Sequence, residues 1–390
     1  MQSRQSPSPA PLSRRLFLKR VGLVAAALPA SKLLVACNNA EEAASNGANG
    51  IDPGEVGGEI DFLSWEGYDL LDETAAWREE HGVSINSSYI GANEDIHTQI
   101  LSPGGEGIDL ITYADGYGDQ YRDLGVVTDI DPDAIPNLEH MMGVFRDSRW
   151  FRNDDGTYAG IPFTWGGMGM NYRPDLLDNV PERWVDLLEP EFEGRVAMVD
   201  DMKGNVVLGA RMLDYDPEHL TTSQLEEVQE ILIQMKRQSV AISPGFGDVT
   251  NLLVAGEAAV VFMGWAAVNM WAQEEGVELE FKIPEEGSLT YVDAYAIPPE
   301  ADNREAALAF INQALEPQVQ VEQAQALAAG VVRDDVVDEL PPEFRDMYPY
   351  DDIDSFFEVA PLYAMPPSDR EGDEVNFEDW VQMWQAVQAA

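Results

Sequence analysis

Short apolar strands alternate with helical stretches over roughly 330 residues, a rhythm that points to parallel α/β units. Glu59–Trp65 alternates in character and ends in a small-residue turn, so it reads as the first strand. A helical stretch is expected over Leu70–His81, with further strands at Gly82–Tyr89 and Ile108–Tyr113. The chain becomes Gly-rich at Ala159–Gly167, as a crossover between two bodies would. A second α/β region runs from Met168 to about Pro284 and includes the amphipathic helix Ser223–Gln238. Tyr291–Pro298 reads as a returning apolar strand, and the tail after Pro317 as mostly helical, ending in Phe377–Ala390. So many residues exceed one ordinary core and imply two domains. No fixed-period repeat is present.

The N-terminal residues have a different character. Ser13-Arg14-Arg15-Leu16-Phe17-Leu18-Lys19 fits the twin-arginine export consensus. The apolar stretch Val21–Ala36 is broken by Pro29, Ser31 and Lys32, and it is shorter than the ~20 residues a membrane span needs. Leu34-Val35-Ala36-Cys37 follows, with the sole cysteine of the chain, and is similar to a lipobox in which Cys37 is acylated after cleavage. A single cysteine also excludes an internal disulfide framework. The expectation is a signal peptide over 1–36 and a lipid-anchored flexible tether over 37–58, which is rich in Ala, Asn, Gly and Glu.

The charge narrows the setting. The chain has 23 Lys plus Arg against 71 Asp plus Glu, a net charge of −48. Such a surface repels itself in dilute buffer. At molar salt the Debye length falls to roughly 3 Å and the repulsion is screened. The composition therefore argues for a halophile, and against nucleic acid, which needs a basic footprint.

An ordered series of segments then carries a resemblance. These are Ser64-Trp65-Glu66-Gly67-Tyr68, Ile108-Asp109-Leu110-Ile111 with Tyr117 after it, Gly160–Gly166, Trp184–Gly194 with Asp200-Asp201 following, Gly256–Val260, and Val292–Pro298. Together they resemble the spermidine/putrescine-binding family of ABC-transporter substrate-binding proteins, over roughly 59–390. The resemblance implies an α/β, two-lobed periplasmic-binding-protein fold with crossover hinge strands and a ligand cleft between the lobes. Lobe 1 would span 59–164, completed by about 292–325, and lobe 2 165–291, completed by about 326–390. It further implies an extracellular protein at the outer face of the cytoplasmic membrane, a monomer that uses no cofactor and hands a small cationic solute to a membrane permease.

A polyamine is an apolar stem carrying ammonium groups, so its site needs carboxylates at amine spacing and aromatic faces for the stem. The residues matching the family's contacts supply part of that set. Asp293 would pair with an ammonium and Tyr291 line the stem; the plainer reading of Asp293 is a backbone bridge at the crossover. Asp201 matches a carboxylate for a terminal amine, or is simply a helix N-cap. Trp65 and Tyr68 match family aromatics. Trp265 falls one place beyond a cleft tryptophan, while Asp115 and Glu66 are extra carboxylates at turns that would face the cleft. Departures from the family are Gly204, where a second carboxylate is expected, together with Ala114, Gly116 and Glu66. The alternatives are the same fold binding ferric iron (through Tyr113, Tyr117 and Tyr121), thiamine or a similar solute, and an exported carboxylate-dependent hydrolase. Against an enzyme, the chain has no H-E-x-x-H, G-x-S-x-G or P-loop, and its four histidines are scattered.

Overall fold

The computed structural model describes residues 56–90, 93–102, 105–370 and 372–390. The export signal, Cys37 and nearly all of the tether lie outside the described residues.

The strands are β1 (Gly58–Ser64), β2 (Val83–Tyr89), β3 (Leu110–Ala114), β4 (Ile161–Tyr172), β5 (Val196–Val199), β6 (Ser239–Ser243), β7 (Val260–Phe262), β8 (Gly264–Trp265), β9 (Glu280–Lys282) and β10 (Thr290–Ala296). Their spatial order is β2-β1-β3-β10-β4-β7-β5-β6, with β8 and β9 also paired to β4. Pairing is parallel from β1 to β2 and β3, and from β5 to β6 and β7. The β10 and β4 pairings are antiparallel. Two parallel α/β halves are thus joined through two antiparallel strands, the arrangement of a two-lobed α/β protein with crossovers.

β4 links the halves. Its first part, Ile161–Gly167, pairs with β10, and its second, Met168–Tyr172, with β7, β8 and β9. All twelve residues are buried. The glycines in it are places where a neighbouring group comes too close to the backbone to leave room for a Cβ. A Cβ on Gly166 would come within 2.5 Å of the Tyr291 ring, and one on Gly167 would strike Phe356. The β4–β10 register slips between Asp293 and Ala294, where Thr164 and Pro162 are the successive partners. Pro162 has no N–H to give the ladder, which favours such a bulge. The Phe163 carbonyl left over is satisfied by Gln323 at 2.6 Å and Gln320 at 3.1 Å, both fully buried.

Helix ends follow local chemistry. Thr222–Gln238 starts at a capping box of Thr221 and Gln224 and buries Leu225, Val228, Ile231, Leu232 and Met235 on one stripe. The C-terminal helix Phe377–Ala389 starts at a second box, Asn376 with Asp379, and buries Trp380, Met383, Trp384 and Val387. It packs on Thr222–Gln238 and on the helix Met202–Met212. The first helix is shorter than the sequence suggests, covering Ala75–His81 and not Leu70–His81. Leu70 has a left-handed backbone, φ 45°, and the buried Asp69 before it accepts the Ser87 and Tyr89 hydroxyls, which fixes a turn there. The tail is also less helical than expected: after Pro317–Leu327 only short helices occur before Phe377.

Candidate functional site

A cleft of about 380 Å³ lies beside the ends of β1, β3 and β10 and the start of the helix Met202–Met212. Trp65 and Tyr117 line it from the turns after β1 and β3, and Tyr291 from β10. Met168, Met202, Met263 and Leu289 give it apolar surface, and Trp384, Gln385 and Gln388 of the C-terminal helix also line it. Strand ends facing such a crevice are where α/β proteins hold ligands.

Asp293 lies behind this lining, 4% exposed. Its Oδ2 accepts the Tyr68 hydroxyl at 2.6 Å. Burial, above all, raises its pKa to about 7; the Tyr68 bond and Lys203 pull it down, while Asp115 and Asp201 push it further up. Lys203 is thus the cation that bears on Asp293, and Lys203 is held elsewhere. Tyr68 is itself fixed by an edge contact with Phe163 at 5.0 Å, and its carbonyl accepts the Tyr295 hydroxyl at 2.8 Å. Burial and then Asp293 raise the Tyr68 pKa well above the ordinary phenol value, so it stays a donor.

Tyr291 packs edge-on to Trp265, with ring centroids 5.8 Å apart. Its buried hydroxyl has no hydrogen-bond partner among the described residues. Trp265 does not line the cleft; its Nε1 donates to the Tyr348 hydroxyl at 3.1 Å, so it braces Tyr291 from behind. Glu66 is exposed and also stands outside the lining.

Asp115 and Asp201 both line the cleft, and both carboxylates have work inside the protein. Asp115 is fully buried: its Oδ1 accepts the Val292 N–H at 3.0 Å, and its Oδ2 accepts Lys203 Nζ at 2.7 Å. Burial raises the Asp115 pKa, and the Lys203 ammonium works against that rise. Asp201 caps the helix Met202–Met212, accepting the Gly204 N–H at 2.6 Å. The helix-cap reading of Asp201 is therefore realised, and a solute contact would come in addition to it.

Sequence reasoning does not anticipate Lys203. It is one of five lysines in the chain and follows the Asp200-Asp201 pair by two residues, which is a faint signal in so lysine-poor a sequence. Asp200 stands out in the sequence only as part of that pair, yet its Oδ1 accepts both Trp384 Nε1 at 2.9 Å and Gln388 Nε2 at 2.7 Å. That contact ties the cleft rim to the C-terminal helix. Of the three tyrosines considered for iron, Tyr113 and Tyr121 are fully buried core rings packed edge-on at 5.5 Å, and only Tyr117 reaches the cleft. Among the described residues no group of three His, Cys, Asp or Glu side chains is placed to hold a metal. No described helix is long and apolar enough to cross a membrane.

Comparison with known proteins agrees with this fold. The model of the family described as bacterial extracellular solute-binding protein matches residues 74–348. The spermidine/putrescine-binding periplasmic protein of Salmonella typhimurium is 25% identical over 267 residues, covering 68% of this chain and 75% of that protein. Spermidine/putrescine-binding periplasmic protein 1 of Haemophilus influenzae is 24% identical over 385 residues, covering 95% and 99%. Among solved structures, the spermidine/putrescine ABC transporter substrate-binding protein of Streptococcus pneumoniae superposes with a TM-score of 0.67 at 20% identity, over 84% of this chain and 97% of that one.

Proposed function

This chain belongs to the bacterial extracellular solute-binding proteins, and from that premise we propose that it captures a polyamine-like or related cationic solute and hands it to a membrane permease. The family is one of transport proteins, so the solute is bound and released unchanged. The observation that carries the cationic reading is Asp293. It is a buried carboxylate whose direct partner is a tyrosine hydroxyl and whose nearby lysine is committed to Asp115. A carboxylate so placed is costly to ionise until a cation arrives, and the pKa of about 7 expresses that cost.

In this reading an ammonium takes its place against Asp293 and Tyr68, while Trp65 and Tyr291 cover the alkyl stem. Trp265 acts through Tyr291, Asp201 adds a second carboxylate on the cleft wall, and Glu66 contributes only at the surface. Lobe 1 would comprise 59–164 with about 292–325, and lobe 2 165–291 with about 326–390. The lobes would hinge where β4 passes Trp165 and β10 passes Tyr291, with the bound solute favouring closure. The twin-arginine motif at Ser13–Lys19 and the lipobox-like Leu34–Cys37 support export in the folded state and anchoring through Cys37 at the outer face of the membrane.

A thermal-shift panel at roughly 2–4 M salt, which screens the acidic surface, tests this reading. The panel holds 1,4-diaminobutane, spermidine, thiamine, ferric iron and a set of sugars. A rise in Tm with an amine and none with the sugars is expected. A rise only with iron or a sugar would overturn the cationic reading and leave family membership untouched.

A further inference from the structure

We infer that the Lys203–Asp115 ion pair is a latch that holds the two halves of the molecule together beside the cleft and keeps its grip in molar salt. The inference rests on the hinge at β4 and β10 proposed above, and not on which solute the cleft takes. Asp115 stands in the turn after β3, in the half built on β1, β2 and β3. Lys203 stands in the first turn of the helix Met202–Met212, which follows β5 in the half built on β5, β6 and β7. The sheet runs from one half to the other only through β4 and β10. Lys203 makes a second connection: its Nζ donates to the Asp115 carboxylate at 2.7 Å and to the Asp115 carbonyl at 2.6 Å. Bonds of this kind tolerate about 0.5 Å of stretch, so a hinge rotation that moves the helix further than that breaks them.

Asp115 is anchored to the hinge strand itself. Its N–H donates to the Val292 carbonyl at 2.8 Å, and its Oδ1 accepts the Val292 N–H at 3.0 Å. Val292 adjoins Tyr291, where β10 is proposed to bend. Lys203 therefore acts on the crossover strand through a fixed carboxylate. The neighbouring Gly116, with φ +85°, accepts the Met365 N–H at 3.2 Å and lies so near the Tyr363 carbonyl that a Cβ there would strike it. The ion pair is thus seated in a closely packed junction.

That seat decides how salt acts on it. Closing one half on the other brings like charges together in a chain of net charge −48. A contact that favours closure in molar salt must be out of the salt's reach. Arg149–Glu218 also joins the halves, at 3.6 Å, but its side chains are 73% and 25% exposed, and molar salt screens such a pair. The Lys203 and Asp115 side chains are 8% and 0% exposed, and a buried pair is screened far less.

Pulsed electron–electron distance measurements on the solute-free protein at about 3 M salt test this. Spin labels are placed at Glu80→Cys and Glu226→Cys, exposed helix positions in the two halves, with Cys37→Ser leaving no other thiol. The wild-type background is compared with Arg149→Gln and with Lys203→Met combined with Asp115→Asn. The double variant removes both charges at once, which folding commonly tolerates, and its Asn can still accept the Val292 N–H. Its Tm should stay near that of the wild type while the ratio of long to short distances rises about tenfold. Arg149→Gln should change that ratio by less than about twofold. Lys203→Gln, which keeps a donor for Asp115 but not the charge, is a further variant should the double one fold poorly, and it should open the protein in the same sense. Variant distances that match the wild type, or opening by Arg149→Gln as large as by the double variant, would overturn the latch. Adding 1,4-diaminobutane separates the possible failures. If the amine shortens the distances while the variants do not lengthen them, the hinge stands and the latch falls. One unchanging distance in every protein, with and without the amine, sinks the hinge and the latch together. Variants that open, with an amine that does not bind, support the latch and sink only the cationic reading.

Discussion

At the scale of single residues, the site turns on how two neighbouring carboxylates are treated. Asp115 and Asp293 are both buried and lie one residue out of register across the β3–β10 pairing, where Ala114 faces Asp293. Asp115 receives a lysine and Asp293 a phenol. The folded pKa of Asp293, about 7, lies above the 3.8 of a free aspartate. Between those values the folded state holds a proton that the unfolded chain has released. This group therefore lowers stability as pH rises from about 4 through 7, and acidification removes the penalty. In the empty protein Asp293→Asn should raise Tm over wild type at pH 8, and the difference should close by pH 5. Affinity for a cationic solute should fall over the same interval in the wild type, because the proton competes for the carboxylate, and should vary much less in the variant. A wild type whose affinity is flat from pH 8 to 5.5 would contradict the assignment. Asp293, Tyr291 and Trp65 can be singled out from sequence because each stands in a short segment with recognisable neighbours. The pairing of Asp115 cannot, since Lys203 is 88 residues away and meets it only through the packing of a helix from the other half.

At the scale of elements, β4 and β10 determine where the site can be. Their register slips just after Asp293, which accepts the Tyr68 hydroxyl, and Gly166 of β4 leaves room for the Tyr291 ring against the backbone. Gly166→Ala would drive a methyl into that ring, and overpacking of this kind costs about 1–3 kcal/mol. The expected outcome is a lower Tm together with weaker solute binding, as the ring is displaced into the cleft. An unchanged Tm in a melting experiment would show that the ring has room to move. The strands and the long helices are legible because their periodicity and caps are local: Thr222–Gln238 begins within a residue of the expected Ser223. The early start expected for the first helix misses the Asp69 hydrogen bonds, which come from β2 and leave no local pattern. The strand pairing that merges the two halves through β4 is likewise invisible beyond its Gly-rich texture.

At the scale of the whole molecule, an excess of 48 negative charges dominates the electrostatics outside the site. Raising salt from 0.1 to 2 M should raise Tm by on the order of 10 °C as self-repulsion is screened; a Tm that falls with salt would contradict the halophilic reading. The same salt screens the rim of the cleft far more than its interior, so the proposed ammonium at Asp293 would retain most of its attraction. The central claim, that a cationic solute is captured by the Asp293–Tyr68 pair, meets its most direct test in isothermal titration of 1,4-diaminobutane at molar salt. The wild type should bind one equivalent, and Asp293→Asn should bind more than about tenfold more weakly, since removing one partner of a buried charge pair costs about 2–5 kcal/mol. Equal affinity in the two proteins would show that the amine, if bound, is held somewhere else.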